Sequence, residues 1–194
     1  VAKRNDSVYA HHGTTKELAA RILANGFIQS EEEFDWLGFG VYFWEDSPAR
    51  ALMWAEERFP SEPVCVIDAE ISLENCLNLG DPEGVAKLRP FYDLYIVHLG
   101  TEVAATLKST AAGNRQLDCR VINYACERLR ENGDPIHVVR SPFTEGEPIF
   151  SGGDGVPTSQ IHDLAHVQLA VREDCAILDI EVDELKEGES AGGR

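Results

Sequence analysis

Short alternations of apolar and polar residues open the chain, and helical spacings follow them. Residues 8–12, Val8-Tyr9-Ala10-His11-His12, predict a strand that Gly13 breaks. Thr14 then reads as a helix N-cap, with Glu17 three positions on completing a capping box. Leu18, Ala19, Ile22 and Leu23 form the apolar face of that helix, and Gly26 stands where helices commonly stop. Gly38-Phe39-Gly40-Val41-Tyr42-Phe43 reads as a turn into a second strand. Ser47-Pro48 predicts a cap and a first helical residue for a helix running to Arg58, with Ala51, Leu52 and Ala55 on one side. Residues 64–71 hold few polar positions and suit a buried central strand.

The middle third is helical in pattern. Residues 83–99 predict a helix broken at Pro90. Residues 116–129 predict a strong helix, with Leu117, Val121, Tyr124, Ala125 and Leu129 in register and Asn132-Gly133 as its stop. A strand at 136–139 follows, then a loop-rich stretch over 142–160 containing Gly146, Gly152, Gly153 and Gly155. Strands at 165–171 and 176–182 close the pattern. The fold class expected is α+β with antiparallel or mixed sheets, because regular βαβ alternation is absent. One domain is expected over residues 1–183, carrying a helical insertion at about 82–132. Residues 184–194 read as an acidic disordered tail.

Composition narrows the partners. Of 194 residues, 34 are acidic and 17 basic, a net charge of −17 that opposes phosphate backbones and anionic membranes at long range. No apolar run approaches the roughly 20 residues that cross a bilayer, and the first residues lack an apolar leader. A cytoplasmic protein without a membrane partner is expected. Cys65, Cys76, Cys119, Cys126 and Cys175 include no CxxC pair, so reduced thiols and no metal site are expected. His11 and His12 are adjacent, point to opposite faces of a strand and make a poor chelating pair.

Three segments carry candidate chemistry: Tyr9-Ala10-His11-His12-Gly13-Thr14-Thr15, the run from Leu37 through Gly38-Phe39-Gly40-Val41-Tyr42-Phe43-Trp44 to Trp54-Ala55, and His166-Val167-Gln168-Leu169-Ala170-Val171. Together they resemble the ADP-ribosyltransferases of the diphtheria-toxin and poly(ADP-ribose) polymerase branch. That family has His-Gly on its first core strand, a Gly-x-Gly-Val/Ile-Tyr-Phe strand leading into an Ala-rich helix, and a Glu on a late strand. The resemblance covers residues 9–55 in identity, order and spacing. It covers the late strand by position only.

The resemblance implies a split antiparallel or mixed sheet and NAD⁺ as substrate, with no metal. It implies that His12 bonds a ribose hydroxyl, that the Gly13 main chain pairs with the nicotinamide carboxamide, and that Tyr42 stacks on the pyridinium ring. A glycine suits the second role because no Cβ keeps a ligand off its peptide groups, and an aromatic face suits the third. Thr14 falls beside this pocket, and Trp54 is the candidate second face of the sandwich. The family's Glu position falls on Gln168, which can bond a ribose hydroxyl but supplies neither a base nor negative charge. His166, on the same strand face, is the favoured auxiliary group. His162 and Asp163 before the strand and Glu145 and Glu147 in the preceding loop are the others.

The function expected is mono-ADP-ribosyl transfer to an unidentified acceptor, protein or nucleic acid, with an inhibitory or antitoxin partner conceivable by analogy. An NAD⁺ glycohydrolase and a non-catalytic NAD- or ADP-ribose-binding module are the alternatives, the latter sustained by Gln168. Each residue has a plainer reading too. Taken alone, His12 suits the core end of a strand, Trp54 suits the apolar face of its helix, and Gln168 and His166 suit an edge strand.

Overall fold

The structure is a computed structural model. It describes residues 7–100, 103, 105–107, 115–153 and 156–182, so the acidic tail and Gly155 lie outside the described residues.

Strand β1 (Ser7–Thr15) does not stop at Gly13. It pairs antiparallel with β3 (Val64–Ser72) along its whole length, from Ser7 opposite Ser72 to Thr15 opposite Val64. Thr14 is therefore buried in the ladder opposite Cys65 and is not a helix cap. The cap is Thr15, whose hydroxyl accepts the Leu18 N–H at 3.1 Å as α1 (Lys16–Asn25) begins. Gly26 ends that helix, as its position predicts.

Strand β2 (Val41–Glu45) leads through Ser47 into α2 (Pro48–Arg58). Ser47 occupies the cap position, but its side chain makes no capping bond. After β3 comes β4 (Cys76–Asn78), three residues too short to leave a periodic signal. Helix α3 (Pro82–Leu99) then runs unbroken through Pro90, correcting the expected break. Pro90 removes one backbone hydrogen bond from a helix of 18 residues that Asp81 caps and Pro82 starts.

Helix α4 (Gln116–Glu131) precedes β5 (Val138–Phe143), β6 (His166–Val171) and β7 (Ile177–Val182). Strand β5 starts later than its apolar signal and continues through Pro142, which reads as loop in the sequence. Proline is tolerated there because β4 ends at Asn78 opposite Arg140, leaving that edge of β5 without a partner.

The seven strands form one sheet in the order β4-β5-β6-β2-β1-β3-β7. Among the described strands only β4 and β5 pair in parallel, so the protein is α+β with a mixed sheet. One face buries Val41, Phe43, Ile71, Val138, Leu169 and Val171. On the other, Ile122 and Cys126 of α4 pack on Val139 and Ala170, with Leu88 of α3 alongside. The insertion thus covers the sheet. No helix among the described residues is long and apolar enough to cross a membrane.

Candidate functional site

The site begins where two strands separate. Strands β1 and β2 pair only at Ala10–Glu45 and His11–Trp44. On either side of β1, Lys16 N–H bonds the Pro63 carbonyl (2.8 Å) and Asp46 N–H bonds the Tyr9 carbonyl (3.0 Å). Because an antiparallel ladder alternates, the peptide groups of Ala10, His12 and Thr14 turn to β3, and those of Tyr9, His11 and Gly13 turn toward β2. Were the ladder to continue, Gly13 would exchange bonds with Tyr42. Instead the Tyr42 carbonyl accepts the His12 Nδ1–H at 2.8 Å. The Gly13 N–H and C=O are left facing the gap.

That bond also sets the His12 tautomer. With the proton on Nδ1, Nε2 is an acceptor, and it bonds no described residue. Burial lowers the His12 pKa, partly offset by the bond to Tyr42, which favours the neutral ring. The imidazole packs edge-on to Phe27 at 5.3 Å and lies 5.6 Å from Phe43. His11, on the opposite face, pairs with Asp68 Oδ1 at 2.6 Å.

A cavity of about 540 Å³ opens here, within the size range of small-molecule sites. His12, Tyr42 and Trp44 line it from the two strands. The loop between α1 and β2, closed by two Ser30–Gly40 hydrogen bonds of 2.9 and 3.1 Å, supplies Phe34, Asp35 and Trp36. Helix α2 supplies Arg50, Trp54 and Glu57, spaced on one face. Gln168 of β6 and Glu145, two residues past β5, complete the wall.

Tyr42 is held rigidly. Its hydroxyl accepts the Leu37 N–H at 2.9 Å and donates to the Gly38 carbonyl at 2.7 Å. Gly38 itself has φ 78°, a left-handed conformation that glycine adopts at little cost. Burial raises the Tyr42 pKa, so the phenol stays neutral. Trp44 is 3% exposed, and its indole N–H has no partner among the described residues. Trp54 packs on it with rings 5.6 Å apart and keeps 37% of its surface exposed. Trp36 is braced by the Arg115 guanidinium, 4.3 Å from its ring.

Charge in the cavity is mostly negative. Asp35, Glu57 and Glu145 face one guanidinium among the described lining residues. Arg50 pairs with Glu145 at 2.9 Å, with side chains 13% and 29% exposed. Burial raises the Asp35 pKa toward its neutral form. Gln168 lies between Trp44 on β2 and Ser141 on β5, and its side chain bonds no described residue.

Of the residues expected from the sequence, His12, Tyr42, Trp54 and Gln168 meet at this cavity. Thr14 and His166 do not. Thr14 is buried in the β1–β3 ladder. The His166 side chain is fully buried against Phe143, its Nδ1–H donates to the Leu164 carbonyl at 2.8 Å, and its Nε2 is enclosed without a partner among the described residues. Burial lowers its pKa, which favours the neutral ring. Gly13 is not among the residues that line the cavity; its peptide groups turn toward the β1–β2 gap by the alternation of the ladder, and its bare Cα packs on α2. A Cβ there would lie 1.9 Å from the Ala51 carbonyl oxygen. Packing by itself therefore demands this glycine.

Arg50, Glu57, Trp44 and the Phe34–Asp35–Trp36 wall were not foreseen. Arg50, Trp54 and Glu57 are four and three residues apart on an Ala-rich helix, a polar stripe legible in principle. The loop wall left no such signal. All five cysteines are free, and Cys65, Cys119 and Cys126 are buried. Among the described residues no cluster of three or more His, Cys, Asp or Glu could hold a metal ion. No protein-family model matches the chain, and no curated protein matches its sequence significantly.

Proposed function

We propose that this cavity binds NAD⁺ and that the protein transfers ADP-ribose to an acceptor with release of nicotinamide. The observation that carries the reading is the parted β1–β2 ladder. It leaves a buried N–H and C=O pair at Gly13 facing a gap beside Tyr42. Buried peptide groups need partners, and a carboxamide offers a donor and an acceptor at matching spacing. On this reading the nicotinamide ring lies against Tyr42, with Trp54 toward its other side. His12 Nε2 accepts a ribose hydroxyl, and Gln168 bonds another. The net charge of −17 favours a protein side chain over a phosphate-rich acceptor.

Chemically, the bond from ribose C1′ to the pyridinium nitrogen breaks, its electron pair stays on nicotinamide, and positive charge builds on the ribose. A carboxyl-lined cavity stabilises that charge. The likeness to ADP-ribosyltransferases across residues 9–55 supports the same assignment.

Nicotinamide release from NAD⁺, measured with and without cell extract, tests it. Release that requires extract marks a transferase, and release without it marks a glycohydrolase. Binding without release in either marks a binding module. His12→Ala is expected to weaken NAD⁺ binding about tenfold, the loss of one hydrogen bond in a closed site. Full binding by that variant places the ligand elsewhere.

A further inference from the structure

The carboxylate that such a reaction needs is missing from β6, where Gln168 stands, and the cavity offers three others. Asp35 is pushed toward its neutral form, and its Oδ2 accepts the Glu32 N–H at 3.2 Å. Glu57 is exposed on the last turn of α2, and nothing among the described residues fixes it. Glu145 is different. The β5–β6 register sets Ser141 opposite Gln168 and Phe143 opposite His166, so Glu145 leaves β5 on the strand that flanks Gln168. Arg50, 13% exposed, grips Glu145 Oε2 at 2.9 Å from α2. The contact to His166 Nδ1, 3.6 Å, uses the same oxygen. Oε1 bonds no described residue and remains an acceptor.

We propose that Glu145 supplies the carboxylate of this site in place of the residue at Gln168, with Arg50 as its positioning residue. The inference rests on the NAD⁺ reading above. As the C1′–nitrogen bond breaks, Glu145 stabilises the positive ribose. It then takes the proton of the acceptor whose lone pair forms the new bond to C1′, and returns that proton to solvent.

Three variants test this, each measured for melting temperature, NAD⁺ affinity by calorimetry, and nicotinamide release with and without cell extract. Glu145→Gln keeps the shape but not the charge. It is expected to bind NAD⁺ within about threefold of wild type and to release nicotinamide on the order of 10²–10³ times more slowly. Glu145→Asp restores part of the rate. Glu83→Gln, exposed on the first turn of α3 and away from the cavity lining, leaves it unchanged. A folded Glu145→Gln protein that works at the wild-type rate overturns the assignment and leaves the NAD⁺ reading intact. Wild-type protein that binds NAD⁺ without releasing nicotinamide in either condition also overturns it. Wild-type protein that neither binds nor cleaves NAD⁺ overturns both.

Discussion

Two demands converge on Gly13, and they can be separated. Its Cα must admit the Ala51 carbonyl, because a Cβ there would also come within 3.1 Å of Ala55 Cβ. Its peptide groups face the gap whatever its side chain is. Gly13→Ala therefore acts through packing. Helix α2 must shift by about an ångström or more, at a cost of roughly 1–3 kcal/mol for an overpacked contact. Urea denaturation checks this, with Gly26→Ala as the comparison. Gly26 has open space around it and a φ of 84°, so only the backbone conformation of alanine is penalised, by about 1 kcal/mol. Equal losses at the two sites would show that α2 yields freely. The same residues mark how far the site was legible. His12, Tyr42, Trp54 and Gln168, picked out by residue type and spacing, line one cavity in the fold. Thr14 and His166 lie off that lining because burial encloses them, and burial at one residue depends on the register of its neighbours. The parting of β1 from β2 is a matter of pairing, and no local pattern announces it.

Strands and helices were legible where a period ran for two turns or more. Helices α1, α2 and α4 and the long strand β3 follow their apolar spacing. What failed was local chemistry overruled by partners. Thr14 and Thr15 are equally good caps in isolation, and the β3 ladder, holding β1 as far as Val64, chose Thr15. Pro142 reads as a loop until the end of β4 frees its edge. The β5–β2 tie was not visible at all. Arg140 of β5 reaches across β6 to Glu45 of β2, with Nε to Oε2 at 2.6 Å and the terminal nitrogen to Oε1 at 2.8 Å. Its other terminal nitrogen meets Asn78 of β4 at 3.1 Å, so one side chain joins three strands. The side chains are 22% and 11% exposed, which leaves Glu45 poorly solvated if its partner is removed. Arg140→Ala is expected to cost about 2–3 kcal/mol, below the loss for a fully buried pair. Replacing Arg140 by Met and Glu45 by Leu together should recover most of that, since no charge is then stranded. A double-mutant cycle by urea unfolding decides it. Additive losses would mean the pair is only a surface contact.

Charge acts on the molecule as a whole. A folded chain of this length has a radius of gyration of about 16 Å. At 0.01 M salt the screening length is about 30 Å, so most of the 34 carboxylates repel one another across the protein; at 0.15 M it is about 8 Å. Unfolding spreads the −17 charge and relieves that repulsion. Salt should therefore stabilise the fold. Opposing this, salt weakens surface pairs such as Arg21–Glu17 and Lys87–Asp134, each worth at most about 1 kcal/mol. The tighter pairs Arg140–Glu45 and Arg50–Glu145 are partly buried and less screened. Repulsion summed over the net charge outweighs these few local attractions, so the melting temperature is expected to rise by several degrees from 0.01 to 0.15 M NaCl. On the proposed NAD⁺ reading, the same addition should weaken the binding of a cationic acceptor peptide more than that of NAD⁺, because such a peptide would meet the whole anionic surface and the dinucleotide one cavity. A melting temperature that falls with salt would mean that specific ion pairs, rather than net repulsion, dominate the electrostatics of this fold.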